Sequence, residues 1–160
     1  MTKNSLLVLK KEVEKELENL ERLGREMGEI LNHPNPSFLE TRAAGSILHD
    51  FYSGIEKIFK RIASRIDRDV PSSEDWHTDL LIRMSISLDN IRPNVISEGL
   101  KEQLAEYLRF RHLFRNIYGF ELKWERCNIL GTKLKETLKI FKAEIKEFLN
   151  FIISLKNTLS

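Results

Sequence analysis

Arg109, Arg111, His112 and Arg115 fall within seven residues, and Asn116 and Tyr118 follow at once. On a helix, side chains three or four apart share a face. Arg111, Arg115, Tyr118 and Leu122 then line one stripe, with His112 beside Arg115 and Asn116. Three guanidiniums and an imidazole packed this closely repel one another, and the repulsion opposes folding. A phosphate would relieve it. Arg offers a planar fork of donors, and His gives or takes a proton near neutral pH. Arg109 and Arg111 are the candidate phosphate ligands. The structural alternative is a solvated basic face, neutralised by carboxylates from other helices and favoured by the helix dipole near a C-terminal end.

Helices must position these groups. In residues 4–31, Val13, Leu17, Leu20, Met27 and Leu31 recur at helical spacing, with charged residues on the other face. His33-Pro34-Asn35-Pro36 ends that helix. Ser37 and Glu40 form a capping-box pattern that opens a second helix, reaching about residue 67 through Ala44, Leu48, Phe51, Ile55, Ile58, Ile62 and Ile66. A Pro-Ser-Ser-Glu-Asp loop follows. The third helix, about residues 74–87, points Trp76, Leu80, Leu81 and Met84 inward. It reads most simply as a packed Trp76 beside a surface His77. Asn90 to Asn94 breaks the chain. Ser97 caps a fourth helix, which carries the basic cluster and ends near Gly119. The fifth runs from about Lys123 towards the C-terminus. Its end, Phe148, Leu149, Phe151, Ile152 and Ile153, is wider than one bundle face buries and reads as a partner surface. No strand pattern or repeat appears. The expected fold is all-α, an up-and-down bundle of about five helices.

The chain has 160 residues, 41% hydrophobic and 31% charged. That predicts one domain over residues 1–160 with one core. A net charge of +2 draws the protein towards neither nucleic acid nor membrane, so anion binding must be local. Cys127 is alone, which excludes a disulfide framework and a Cys-based zinc site and fits a reducing cytoplasm. The opening M-T-K-N-S-L-L-V-L-K-K-E has an apolar run too short for a signal peptide or a membrane span. There is no Gly-rich phosphate loop, no H-E-x-x-H and no nucleophile elbow. His33, His49, His77 and His112 sit on separate elements without metal-ligand spacing. No metal and no cofactor is expected, and Glu56 and the other carboxylates read as solvated faces.

The stretch Y-L-R-F-R-H-L-F-R-N-I-Y-G-F-E-L, residues 107–122, stands late in a long-helix chain. Before it come H-D-F-Y-S-G-I-E-K-I-F-K-R-I (49–62), W-H-T-D-L-L-I-R-M (76–84) and R-P-N-V-I-S (92–97). In this order they resemble the HEPN superfamily, particularly HepT-like proteins, over nearly the whole chain. The resemblance implies a dimeric, metal-independent ribonuclease toxin with active sites at the dimer interface. Its partner would be a minimal nucleotidyltransferase antitoxin that silences it by transferring AMP to a tyrosine. Asn116 after Arg115 matches the family's Arg-Asn pair. The family motif then places a histidine after the arginine with four to six residues between them, and no histidine stands there after Arg111 or Arg115. The only literal match is Arg42 to His49, on the second helix, a spacing that chance alone supplies. Tyr118 comes early for the AMP-accepting tyrosine and is carried over as the candidate acceptor or as a stacking platform for a base.

Metal-free RNA cleavage needs a base for the 2′-OH proton and cations for the charge that develops at phosphorus. On the fourth helix His112 would be the base, Arg111 and Arg115 the clamp, and Asn116 their neighbour. Two further readings follow from the same residues. One is an inactive binding subunit of a nucleotidyltransferase. The other is a structural helical interaction protein whose arginines are paired with carboxylates.

Overall fold

The computed structural model describes residues 1–159. Five α-helices carry the fold: α1 (Lys3–Leu31), α2 (Phe38–Ile62), α3 (Trp76–Met84), α4 (Glu98–Arg115) and α5 (Trp124–Leu159). Among the described residues there is no strand, only an isolated bridge between Leu88 and Arg92. The expected all-α bundle is present. α2 lies at its centre, packed against α1, α4, α5 and α3, while α3 spans from α2 to α4.

The helix starts follow local chemistry. Thr2 Oγ1 caps α1 by accepting from Ser5 N at 3.1 Å. At α2, Ser37 Oγ accepts from Glu40 N at 3.1 Å and Glu40 Oε1 accepts from Ser37 N at 2.9 Å, which completes the capping box. The α4 cap is tied to α5: Ser97 donates from N and Oγ to the two carboxylate oxygens of Glu144, at 2.6 and 2.9 Å. The expected apolar stripes are buried. Leu9, Val13 and Leu20 of α1 meet Phe51, Ile55 and Phe59 of α2, Leu104 and Tyr107 of α4, and Phe141 and Ile145 of α5. Burying each such side chain contributes about 1.5–3 kcal/mol. A few exposed like charges cost far less, so the core can carry a repelling cluster on its surface.

The helix ends depart from expectation where tertiary contacts intervene. α2 closes at Ile62 and the chain reaches Asp67 through a π-helical turn, Ala63–Asp67. α3 stops at Met84, short of residue 87, where Arg92 binds one carbonyl of the helix and two beyond it. Arg92 Nη2 donates to Arg83 O at 3.3 Å and Nη1 to Ile86 O and Pro93 O, each at 3.0 Å. Its Nε and Nη2 also grip Asp67 at 2.6 and 3.0 Å. Both side chains are buried, at 0% and 2% exposure.

α4 ends at Arg115, not near Gly119, and Gly119–Glu121 forms a separate 3₁₀ turn. The cause is Leu122, which leaves the helix path to bury itself against α2. A Cβ at Gly45 would lie 2.5 Å from Leu122 Cδ2 and 2.7 Å from Phe114 Cε1, so the missing side chain there admits both. The expected stripe Arg111–Arg115–Tyr118–Leu122 is therefore broken after Arg115. On α5, Phe148 and Leu149 are absorbed into the core, and Phe151 and Leu155 remain exposed. No helix among the described residues is long and apolar enough to cross a membrane.

α1 is held to its neighbours by carboxylates. Glu12 accepts from Arg61 and, at 3.1 and 3.2 Å, from Arg65, while Glu21 accepts from Lys142 of α5. Burial works to raise the Glu12 pKa, but Arg65 and Arg61 outweigh it and hold it below the ordinary value. For Glu21 the Lys142 hydrogen bond lowers it, against a smaller opposing effect of burial. A carboxylate with a depressed folded-state pKa stabilises fully above its unfolded value and loses that contribution as pH falls through the folded value. Urea unfolding midpoints should therefore hold from pH 7 to about 5 and fall below about pH 4.5. Glu12→Gln should flatten part of that fall. A variant that tracks the parent at every pH contradicts the assignment.

Candidate functional site between α3 and α4

α4 presents the basic cluster to a cleft of about 940 Å³ whose other wall is α3. Arg109, Arg111, His112, Arg115 and Asn116 all line it, and so does His77 of α3. Arg111 is half-buried and fixed by donation from Nε to Ser53 Oγ on α2 at 3.2 Å. Arg109, His112, Arg115 and Asn116 are exposed. Asn116 Nδ2 donates to His112 O at 2.7 Å, and this closes the helix end. Lys101 adds a further cation, and Glu74 and Asp75 contribute acid on the α3 side. Even so, among the described residues no carboxylate lies within 4.0 Å of Arg109, Arg111 or Arg115. The neutralisation that a purely structural role requires is missing.

Tyr118 does not join this group. It stands beyond α4, 70% exposed, stacked on Phe120 with ring centroids 5.2 Å apart. Arg42 and His49, the literal Arg-to-His spacing, are also elsewhere. Arg42 lies over the Phe38 ring and His49 packs against Phe114, and neither lines the cleft.

Two residues read as bland from sequence are not. Glu56 is buried at 4% exposure rather than solvated. Its Oε2 lies 2.6 Å from His77 Nδ1, so His77 is a paired histidine rather than a simple surface one. The pairing is a consequence of α3 crossing α2. No local spacing announces it, since the partners are 21 residues apart. The Tyr52 hydroxyl, one helical turn before Glu56, is buried without a hydrogen-bond partner. Burial drives its pKa up, the Glu56 charge adds to this, and the Arg111 charge opposes it. A buried carboxylate and the best-held arginine of the cleft thus act on the same buried hydroxyl with opposite sign. Cys127 is no part of the site, since burial pushes its thiol up to about 11, well away from the reactive thiolate form.

Comparison with curated proteins and with solved structures finds no match. The family model described as HepT-like protein matches residues 43–152, which takes in most of α2, all of α3 and α4, the cleft between them, and much of α5. α1 lies outside that match, although it supplies one side of the core. On this match the chain belongs to the HepT-like proteins of the HEPN superfamily.

Proposed function

We propose that the protein is a HepT-like ribonuclease toxin, acting in the cytoplasm as one helical unit and silenced by a minimal nucleotidyltransferase partner. The observation that carries this reading is the cleft wall of three arginines and a histidine, with no carboxylate within 4.0 Å of the arginines among the described residues. Such a wall is unfavourable when empty and favourable with a phosphodiester in it. Arg111 and Arg115 hold the phosphate oxygens, Arg109 extends the contact along the backbone, and His112 moves a proton at the scissile group. Asn116 keeps the end of α4, and with it His112 and Arg115, in place. This chemistry uses side chains alone and asks for no metal ion.

Tyr118 is the proposed AMP acceptor. Its ring is exposed and its hydroxyl free for transfer, two residues beyond Asn116. An added adenylyl phosphate there would compete for the arginines with the RNA backbone. The exposed Phe151 and Leu155 of α5 mark the surface through which a homodimer would form.

The decisive experiment is intact mass after co-expression with a cognate nucleotidyltransferase and ATP, followed by RNA cleavage with modified and unmodified protein. The expected result is added AMP on Tyr118 and cleavage by the unmodified form alone. The reading fails if His112→Ala and Arg115→Ala both cleave RNA at the wild-type rate, or if the wild type does not cleave at all. In the latter case an inactive binding subunit of the nucleotidyltransferase takes its place.

A further inference from the structure

His77 and Glu56 are left over when the α4 cluster is assigned to phosphate binding. Their geometry is that of a working acid–base pair. Glu56 reaches out of the α2 face, buried, with its Oε2 on His77 Nδ1 at 2.6 Å. A carboxylate on Nδ1 fixes the tautomer with the proton on that nitrogen, orients the ring, and leaves Nε2 as the basic atom. The ring itself is clamped by stacking on Trp76, with centroids 3.6 Å apart, and Lys60 caps the indole at 3.9 Å. His77 is only partly covered, 26% of its side chain being exposed, and it lines the cleft that also holds Arg111 and His112. A histidine needed only to pin α3 onto α2 does not require a buried carboxylate, because a neutral acceptor would hold it without the desolvation that burying a charge entails.

We propose that His77, oriented by Glu56, is the general base of the cleft and works with His112 as the general acid within one protomer. The proposal rests on the ribonuclease reading above. The reaction balances with these groups alone. The 2′-OH loses its proton to His77 Nε2 as its oxygen bonds to phosphorus. The phosphorus–O5′ bond breaks, and protonated His112 gives its proton to the departing O5′. The products are a 2′,3′-cyclic phosphate and a 5′-hydroxyl end, with each histidine left in the other's starting form. A chain with no histidine at the family's spacing after Arg111 or Arg115 thus recovers a second proton carrier from α3. Glu56 touches no reacting atom and is a positioning residue.

Around the imidazole the charged groups are Glu56 and Lys60 from α2, Glu74 and Asp75 ahead of α3, and Lys101 and Arg111 from α4. Of these Glu56 alone is bonded to the ring. Glu56→Gln keeps the shape, but an amide no longer fixes the proton on Nδ1 as a carboxylate does. It should therefore lower the single-turnover rate at saturating protein and leave RNA affinity unchanged. A merely structural loss of the cleft wall would weaken RNA binding as well.

The test is single-turnover cleavage of a short RNA by the full chain, wild type, His77→Ala and Glu56→Gln, across a range of protein concentrations. His77→Ala should lose about 10²-fold or more, and added imidazole should restore part of it. Because His77→Ala can disturb α3, a second measurement uses unaltered protein. Titration with 3′-uridine monophosphate, followed by NMR, should shift the imidazole signals of both His77 and His112. If wild type cleaves but His77→Ala keeps its rate, or Glu56→Gln keeps its saturating rate, the base assignment is overturned and the ribonuclease reading stands. A nucleotide that moves His112 and not His77 overturns it equally. If wild type cleaves no RNA, the ribonuclease reading falls first and takes the base assignment with it.

Discussion

Arg111→Ala should reduce RNA cleavage by about 10²–10³-fold, the loss typical when one preorganised donor to developing charge is removed. Among the cleft arginines this should be the largest single effect. Arg111 is half-buried and already held by Ser53, so little ordering remains to be done when phosphate arrives. Arg109 and Arg115 are exposed and unpaired, and each must give up side-chain freedom on binding. Arg111→Lys should recover only a small part, since an ammonium keeps the charge but not the fork. Arg111→Ala should leave the thermal midpoint unchanged or raise it, because it removes a cation from a repelling group. A functional site carries such unfavourable charge as a condition of its activity. Cleavage and melting measured on Arg111→Ala together decide the matter. A variant that melts well below the parent would mean that Arg111 is structural, and retained cleavage would remove the cleft from the mechanism.

Arg92→Ala is the second large effect, and it falls on stability. Removing one partner of a buried ion pair costs about 3–5 kcal/mol, because the other charge is stranded. Here the stranded groups are Asp67 and the carbonyls of Ile86 and Pro93, while Arg83 O keeps the Ile86 N–H. Whole-domain stabilities are commonly about 5–15 kcal/mol, so this one change removes a large part of the total. Replacing Arg92 and Asp67 together by apolar residues of similar volume should recover some of the loss. It should not recover all of it, since the Ile86 and Pro93 carbonyls would still lack the donor that Arg92 gives them. Equilibrium urea unfolding is the direct measurement, and a loss below about 1 kcal/mol would show that the pair is dispensable. On the proposed reading, cleavage is linked to this grip. Arg92 ties the end of α3 to the end of α2, and α3 carries His77. A partly folded Arg92 variant should therefore lose cleavage through its cleft wall, without touching RNA.

These two arginines show where sequence and structure part company. Arg111 was legible because its neighbours in the cluster stand one helical turn apart, and the geometry of a helix alone gathers them. The same local rule made the capping box at Ser37, the cap at Ser97 and the apolar stripes of α1, α2, α4 and α5 readable. Arg92 looked like part of a loop. Arginine is rarely fully buried, and its partner Asp67 is 25 residues away. Glu56 looked solvated for the same reason. It belongs to an amphipathic helix rich in charge, and only the crossing of α3 covers it. Tyr118 was placed on the α4 stripe by extending helical spacing past Arg115, but the pull of Leu122 towards Gly45 ends the helix sooner.

What the sequence determined by itself was the set of helices, the faces they bury and the basic character of one of them. All of these follow from interactions within a turn or two of chain. Only the tertiary structure decided which charges are buried, where α3 and α4 stop, and that a second histidine faces the arginines. Those outcomes depend on how α2, α3 and α4 cross, and the crossing is set by side-chain packing among residues far apart in the chain.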